Sequence, residues 1–279
     1  MAKKAKGGET AKAAKAADTA KQDDGALGRI VTETRGDVLL IGLDRPKKLN
    51  GFTNKMCNEL ARAYTDYENG PWRCAVLHST GKHFTAGLDL QNIDRAVNLF
   101  PRDLVDPVGL YPPLRTKPVI AAVRGITFTI GFELALAADF IICGSDARIA
   151  QLEVKRGLMP TCGGTPRMVE RAGWGNAMRY LLTGDEFDAA TALRLGFVQE
   201  VVDPEAVLDR AVVLAQRIAE QAPLAVRATM LNGRKAALEG FDAAAAELDA
   251  ESAIRRRSDD VKEGVRSFVE RRKARFTGK

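Results

Sequence analysis

Residues 118–139 read PVIAAVRGITFTIGFELALAAD and combine a strand, a turn and a helix start. PVIAAV is a continuous apolar run rich in β-branched residues, which is typical of a strand buried on both faces. The strand is predicted to end at Gly125 and a helix to begin near Gly131, which leaves free N–H groups at its first turn. Glu133 lies in these first turns inside an apolar run, so burial should raise its pKa, unless it only complements the helix dipole.

Strands and helices alternate on both sides of this stretch. VTET and VLLIGLD predict two strands joined by a tight turn at 35–37, and residues 54–69 show helical spacing of apolar side chains. Another buried strand is predicted from Cys74, and the alternation continues to about Val202. Beyond Val202 the pattern is only helical: 207–219, about 225–238, and a last segment with Val261, Val265, Phe268 and Val269 at helical spacing. We therefore predict an α/β core over residues 29–202 and a helical region over residues 203–279.

The first 28 residues are rich in Ala and Lys and contain almost no large apolar side chain. They are predicted to be disordered. A transit peptide is the alternative, but such peptides are rich in Arg and poor in acidic residues, and this tail is neither. The net charge of +6 suits an anionic ligand without requiring nucleic acid.

The four cysteines are widely separated and form no C-x-x-C pair, which predicts no disulfide framework and no metal site. A reducing cytoplasm is the expected compartment. The apolar stretch from Pro118 to Gly144 contains charged residues that would be costly inside a bilayer, so no membrane span is expected. With only two histidines, His78 and His83, and no G-x-S-x-G turn, Ser/His/Asp catalysis is not favoured.

Two further segments have glycines where a strand gives way to a turn. In GKHFTAGLDL, residues 81–90, the N–H of Ala86 is predicted to point into a cleft, although a plain strand-to-helix turn would give the same pattern. In ARIAQLEVKRGLMPTCGG, residues 147–164, Glu153 ends a short apolar strand and several glycines follow. One glutamate alone would prove little, but the order of the three segments and the spacing of Glu133 and Glu153 are informative.

Together with three longer matches, these segments resemble the crotonase (enoyl-CoA hydratase/isomerase) superfamily over about residues 30–276. The matches are LDRPKKLNGF from residue 43, WGNAMRYLLTGDEFDAATALRLGFVQEVV from residue 174 and EGVRSFVERRKARF from residue 263. The resemblance implies a crotonase-like spiral of ββα turns with an α-helical C-terminal trimerisation region. It also implies homotrimers, paired into hexamers.

The resemblance assigns the thioester oxygen to the backbone N–H groups of Ala86 and Ile130. Glu133 would activate the water that attacks C3, and Glu153 would deliver a proton to C2 of an acyl-CoA thioester. No separate cofactor is implied, since coenzyme A enters as part of the substrate. The expected coenzyme A contacts are Lys47, the segment Ala86, Gly87, Leu88 and Asp89, and, from a neighbouring subunit, Phe268 and Arg271. Lys47 and Arg271 could equally be solvated surface charges.

The chain departs from the usual hydratase pattern at several positions. Thr129 and Ile130 stand where glycines are usual, and Leu152 replaces a proline. Thr161 occupies a position that is a catalytic aspartate in dienoyl-CoA isomerases, which argues against that reaction. A preference for short straight-chain acyl groups is therefore not implied.

Hydration needs both glutamates, so their presence favours a hydratase over an enoyl-CoA isomerase or another enolate reaction. A coenzyme A- or RNA-binding module without catalysis is the alternative from a different class. The helix over residues 54–69 is acidic on balance and could not supply many phosphate contacts. No nucleic-acid partner is therefore expected.

Overall fold

A computed structural model of the chain describes residues 26–94 and 96–279, so the predicted tail over residues 1–28 lies outside the described residues except for Ala26–Gly28. The strands are β1 Arg29–Arg35, β2 Val38–Asp44, β3 Cys74–Ser79, β4 Val119–Val123, β5 Ile126–Phe128, β6 Phe140–Gly144, β7 Arg148–Ala150, β8 Phe187–Asp188 and β9 Glu200–Val202. The helices are α1 Asn54–Asn69, α2 Ile130–Ala137, α3 Gly164–Ala172, α4 Trp174–Leu181, α5 Ala189–Arg194, α6 Val207–Ala219, α7 Pro223–Glu239, α8 Phe241–Ala245, α9 Leu248–Arg256 and α10 Asp259–Val269.

The strands form two sheets that the chain visits in alternation. One sheet has the order β1-β2-β3-β4-β6-β9, and all of its pairs are parallel except β1 with β2. The other has the order β5-β7-β8. The chain passes from β4 to β5, returns through α2 to β6 beside β4, and then adds β7 beside β5. Successive turns therefore stack as a spiral, as the resemblance implied.

The larger sheet is buried on both faces. Along β2, Leu39, Ile41 and Leu43 face the core shared with α1, whereas Val38 and Leu40 face the core shared with α6. This alternation follows from the two-residue period of a strand. The prediction that the apolar runs are strands covered on both sides is confirmed.

Helix α1 begins and ends at the residues predicted from its apolar spacing. The Thr53 side chain accepts a hydrogen bond from the Met56 N–H and so caps its first turn. The three-residue strand β5 was not predicted, because so short a segment shows no alternation. The short apolar strand predicted before Glu153 is β7, which ends earlier than expected, at Ala150. After β9 the named elements are helical, and large apolar side chains such as Phe241 and Phe268 are exposed on the isolated chain. No helix among the described residues is long and apolar enough to span a bilayer.

A buried guanidinium fixes the position of α2 relative to the sheet. Arg115 is 4% exposed and donates to the carbonyl oxygens of Lys117 and Ala137, both at 2.8 Å. It also forms a two-pronged ion pair with Asp139, at 2.8 and 3.1 Å. Asp139 in turn accepts the N–H of Val119, the first residue of β4. The C-terminal end of α2 is therefore tied to the start of β4, which precedes β5 and α2 in the chain.

Arg115→Met is expected to lower the free energy of unfolding by about 1–3 kcal/mol, because it takes the donor away from the carbonyl oxygens of Lys117 and Ala137 and leaves Asp139 paired only with Arg234 and the Val119 N–H. Arg148→Met is the matched control, because Arg148 forms an exposed pair with Glu186 whose loss should cost about 1 kcal/mol or less. Urea unfolding of both variants measures the difference. Equal losses would contradict this role for Arg115.

Candidate active site

The first element of the site is the junction between β5 and α2. Thr129 joins them with φ 50° and ψ −120°, a backbone conformation that non-glycine residues rarely adopt. Its N–H donates to the Ala150 carbonyl at 2.9 Å, which fixes the turn. Ile130 is the first residue of α2, and its N–H has no acceptor among the described residues. One predicted donor for a thioester oxygen is therefore free.

The second predicted donor, Ala86, is not free. Its N–H donates to the Leu49 carbonyl oxygen at 2.9 Å. In the next residues, the Gly87 carbonyl oxygen accepts a hydrogen bond from the Phe52 N–H, and the Asp89 N–H donates to the Phe52 carbonyl oxygen. In such a parallel bridge the N–H of the central residue, Leu88, points away from the partner strand. The Leu88 N–H has no acceptor in the described part of the chain, so the free N–H of this segment belongs to Leu88 and not, as predicted, to Ala86.

The segments that carry Leu88 and Ile130 run side by side. Thr85 and Thr127 form a parallel bridge, with hydrogen bonds from Thr85 N–H to the Ile126 carbonyl and from Phe128 N–H to the Thr85 carbonyl. Two residues further on, a Cβ at Gly87 would lie 2.3 Å from Thr129 Oγ1, so the Gly87 backbone is in close contact with the Thr129 side chain. Leu88 follows Gly87 in one segment, and Ile130 follows Thr129 in the other. The two free N–H groups therefore occupy corresponding positions on adjacent segments.

Glu133 lies one turn into α2 and is 2% exposed. Its Oε1 accepts hydrogen bonds from the N–H groups of Cys162, at 2.8 Å, and Gly164, at 2.9 Å. Burial, together with the nearby charge of Glu153, outweighs the two N–H donors and raises the pKa of Glu133 to about 7. Glu133 can therefore both hold and release a proton near neutral pH.

Glu153 opens a short 3₁₀ helix, Glu153–Arg156, immediately after β7. Burial raises the pKa of this carboxyl as well. Its Oε2 is buried and has no hydrogen-bond partner among the described residues. The structure thus brings Glu133 and Glu153 to one cavity, as expected from the sequence, and they influence each other's charge. Two such carboxyls titrate as a pair.

The cavity that holds the pair, called here the glutamate cavity, has a volume of about 250 Å³. Its walls include Leu88, Ile130, Glu133 and Glu153. A larger outer cavity of about 1190 Å³ adjoins it. Both cavities are lined by Ala86, Leu88 and Leu90. The free Leu88 N–H therefore lies where the two cavities meet.

The residues predicted to contact coenzyme A fall into two groups. Lys47 and the segment 86–89 line the outer cavity. Within this segment, Asp89 is paired with the buried guanidinium of Arg45 at 2.7 Å, so its carboxylate orders the cavity wall. Phe268 and Arg271 are exposed and line neither cavity within one chain. Their role, which was assigned from a neighbouring subunit, stays a prediction.

Several residues of the site were missed by the sequence interpretation. Leu88 was expected only as a coenzyme A contact, because only its pairing with Phe52 shows that its N–H is the free one. Gln151 is 1% exposed, and neither polar atom of its side chain has a partner among the described residues. A Cβ on Gly164 would lie 2.4 Å from Gln151 Nε2 and 3.0 Å from Glu133 Cγ, so Gln151 and Glu133 flank the same glycine.

No cluster of three or more possible metal ligands occurs in residues 26–94 and 96–279.

Comparisons with known proteins match this geometry. The family model described as enoyl-CoA hydratase/isomerase covers residues 33–279. The 1,2-epoxyphenylacetyl-CoA isomerase of Escherichia coli (strain K12) is 33% identical over 90% of this chain and 98% of its own. The mitochondrial enoyl-CoA hydratase of Pongo abelii is 34% identical over 88% of this chain and 87% of its own.

Solved structures agree with the relatives. A probable enoyl-CoA hydratase/isomerase from Mycobacterium abscessus has a TM-score of 0.87 and 43% identity, and covers 92% of this chain and 100% of its own. An enoyl-CoA hydratase from Mycobacterium tuberculosis H37Rv has a TM-score of 0.81 and 34% identity, and covers 90% of this chain and 99% of its own. The chain belongs to the enoyl-CoA hydratase/isomerase family. The predicted family and the predicted α/β fold with its C-terminal helices are thereby confirmed.

Glu133→Gln is expected to stabilise the fold more at pH 8 than at pH 5. The carboxyl ionises near pH 4.5 in the unfolded chain and near pH 7 in the folded chain. Its bound proton therefore makes its full contribution to the free energy of unfolding below pH 4.5, and this contribution is lost as the pH rises through 7. The amide does not titrate, so its advantage over the native residue should grow by roughly 2–3 kcal/mol between pH 5 and pH 8. Urea unfolding at both pH values measures this. A difference that is independent of pH would show that burial does not raise the pKa of Glu133.

Proposed function

We propose that the chain is an enoyl-CoA hydratase that adds water across the C2=C3 bond of an acyl-CoA thioester. The observation that supports this most strongly is the placement of two free N–H groups, at Leu88 and Ile130, in one cavity with the buried carboxyl of Glu133 and the partly buried carboxyl of Glu153. Such donors stabilise negative charge on a thioester oxygen, and removing one from a comparable site costs about 10²–10³ in rate.

The mechanism follows from this placement. The thioester oxygen accepts hydrogen bonds from Leu88 and Ile130, which withdraws electrons from the double bond. Water attacks C3 and transfers one proton to a carboxylate, assigned here to Glu133. The electron pair of the double bond moves to C2 and the thioester oxygen, and Glu153 delivers a proton to C2. Glu133 gains one proton from water and Glu153 gives one proton to C2, so the total charge of the pair does not change. Proton exchange with solvent then restores the starting state, in which Glu153 carries the proton.

A second candidate is isomerisation of the double bond, which needs only one carboxyl to carry a proton from C2 to C4. The family description includes both activities. Two observations favour hydration. Both carboxyls are present, and burial raises the pKa of each, which keeps one proton available to the pair near neutral pH. An isomerase would leave the second carboxyl without a task.

The surroundings of the site support further parts of the proposal. The outer cavity is large enough for an extended nucleotide-bearing group, and Lys47 and Lys48 in its wall suit the phosphates of coenzyme A.

The exposed apolar side chains of the C-terminal helices, with Phe268 85% exposed, suit a trimer or hexamer. A cytoplasmic location remains an inference from the reduced cysteines. No cofactor beyond coenzyme A is proposed.

Glu133→Gln and Glu153→Gln are each expected to lower kcat for enoyl-CoA hydration by about 10²–10⁴, because each removes a group that transfers a proton. Loss of absorbance of the conjugated thioester measures the rate, with crotonyl-CoA and longer enoyl-CoAs as substrates. Glu186→Gln is the matched control, since Glu186 is an exposed partner of Arg148. If either active-site variant kept the rate of the control, that carboxyl would have no role in hydration.

Leu88→Pro is expected to lower kcat by about 10²–10³, because it removes the N–H proposed to hold the thioester oxygen. The hydrogen bonds of Gly87 and Asp89 to Phe52 use other atoms and can persist. Circular dichroism and a thermal melt establish that the variant is folded. A folded variant with native kcat would exclude Leu88 as a donor.

A further inference from the structure

We propose that the acyl group of the substrate is long or ring-bearing, with an uncharged apolar tail that lies in a distal cavity beyond the two glutamates. This inference rests on the proposed function, because it takes the acyl-CoA to bind with its thioester beside Leu88. It names the class of acyl group, which the family alone leaves open. The distal cavity is bounded by residues 98–112 and by Thr161 and Cys162.

The distal cavity continues the path of the substrate. It has a volume of about 220 Å³ and shares Leu99, Thr161 and Cys162 with the glutamate cavity. Leu88, at the other end of the glutamate cavity, is shared with the outer cavity. The three cavities therefore follow one another, with the free N–H groups at the first junction and Thr161 at the second. An acyl chain held at Leu88 that extends past the glutamates can therefore reach Thr161 and the distal cavity.

The wall of the distal cavity is mostly apolar, and its polar members are Asn98, Arg102, Asp106 and Thr161. Phe100 and Val108 are 7% and 3% exposed, and Leu104, Leu110 and Tyr111 complete its apolar surface. The guanidinium carbon of Arg102 lies 3.4 Å from the centre of the Tyr111 ring, so this cation covers the ring face. An alkyl chain or an aromatic ring matches such a wall better than a polar group does.

The buried polar groups around the distal cavity are already satisfied by the protein. Asp106 accepts hydrogen bonds from the N–H groups of Val108, Leu110 and Tyr111. The Arg167 side chain donates to the carbonyl oxygens of Val108, at 2.6 Å, and Cys162, at 3.1 Å. These bonds hold both sides of the cavity in place before any ligand binds. They also leave no free buried charge there for an acyl group that ends in a carboxylate.

The volume indicates how much of the substrate the distal cavity accepts. An apolar protein cavity of roughly 150 Å³ is enough to hold a benzene ring. The distal cavity exceeds this, so it accommodates a ring or a chain of several methylenes. The four carbons of a crotonyl group would end in the glutamate cavity. Each methylene that becomes buried should strengthen binding about fourfold.

Two cations favour a different acyl group. Arg102 lines the distal cavity, is exposed and forms no ion pair with any described residue, although it covers the Tyr111 ring. Arg156 lines the glutamate cavity close to Glu153, and its guanidinium forms no ion pair with any described residue. It is exposed, however, and faces the glutamate cavity rather than the distal one. A short acyl group with a terminal carboxylate could reach it. This possibility is included as an outcome of the test.

The test is calorimetric titration of the full-length protein with butanoyl-, hexanoyl-, octanoyl- and decanoyl-CoA, which bind without being hydrated. We expect Kd to fall about fourfold per methylene beyond butanoyl-CoA until the distal cavity is full. Phenylacetyl-CoA should also bind more tightly than butanoyl-CoA. A Kd that does not change with chain length would overturn the inference. So would glutaryl-CoA binding more tightly than hexanoyl-CoA, which would indicate a carboxylate held by Arg102 or Arg156.

Val108→Phe, which fills the distal cavity, should weaken octanoyl-CoA binding relative to butanoyl-CoA binding by tenfold or more. Val213→Phe makes the same change on the exposed face of α6 and should leave the ratio unchanged. Equal ratios in the two variants would contradict the inference even if the native protein discriminates by length. Because these ligands are saturated, the result does not depend on hydration. If binding depended on chain length but no enoyl-CoA were hydrated, the proposed function would be contradicted and the inference about the acyl group would stand.

Discussion

The hydrogen bonds from Cys162 and Gly164 to one oxygen of Glu133 hold the site together. They place the loop that follows the second glutamate over the first glutamate. The approach requires glycine at position 164, since a Cβ there would lie 2.4 Å from Gln151 Nε2 and 3.0 Å from Glu133 Cγ. The two carboxyls come from different turns of the spiral, and this contact fixes their relative position before substrate binds.

The same contact sets the chemistry of Glu133. Two backbone N–H donors favour the carboxylate, yet burial and the nearby charge of Glu153 outweigh them and raise the pKa to about 7. Without these donors, the buried group would hold its proton more tightly and would be a poor base at neutral pH. The loop therefore does more than position the side chain. It also keeps the carboxyl able to ionise although Glu133 is only 2% exposed.

The free N–H of Ile130 depends on a strained turn. A non-glycine residue with the backbone angles of Thr129 costs on the order of 1–3 kcal/mol, and surrounding contacts must hold it there. The hydrogen bond to Ala150 and the contact with Gly87 supply that support. Gly87, with φ 105°, has no side chain and so allows the Thr129 side chain to approach. Threonine replaces glycine here, and the adjacent N–H nevertheless remains available.

Local patterns in the sequence were sufficient for the main strands, for α1 and for the C-terminal helices, because each follows from the spacing of its own apolar residues. The two glutamates could also be selected, since a carboxyl in an apolar run is unusual wherever the chain places it. The donor at Leu88 could not. Ala86 and Leu88 lie in the same short segment, and only the pairing of Leu88 with Phe52 and of Thr85 with Thr127 decides which N–H turns toward the cavity. An oxyanion site made of backbone atoms is therefore a property of strand register, so side-chain identity alone cannot locate its donors.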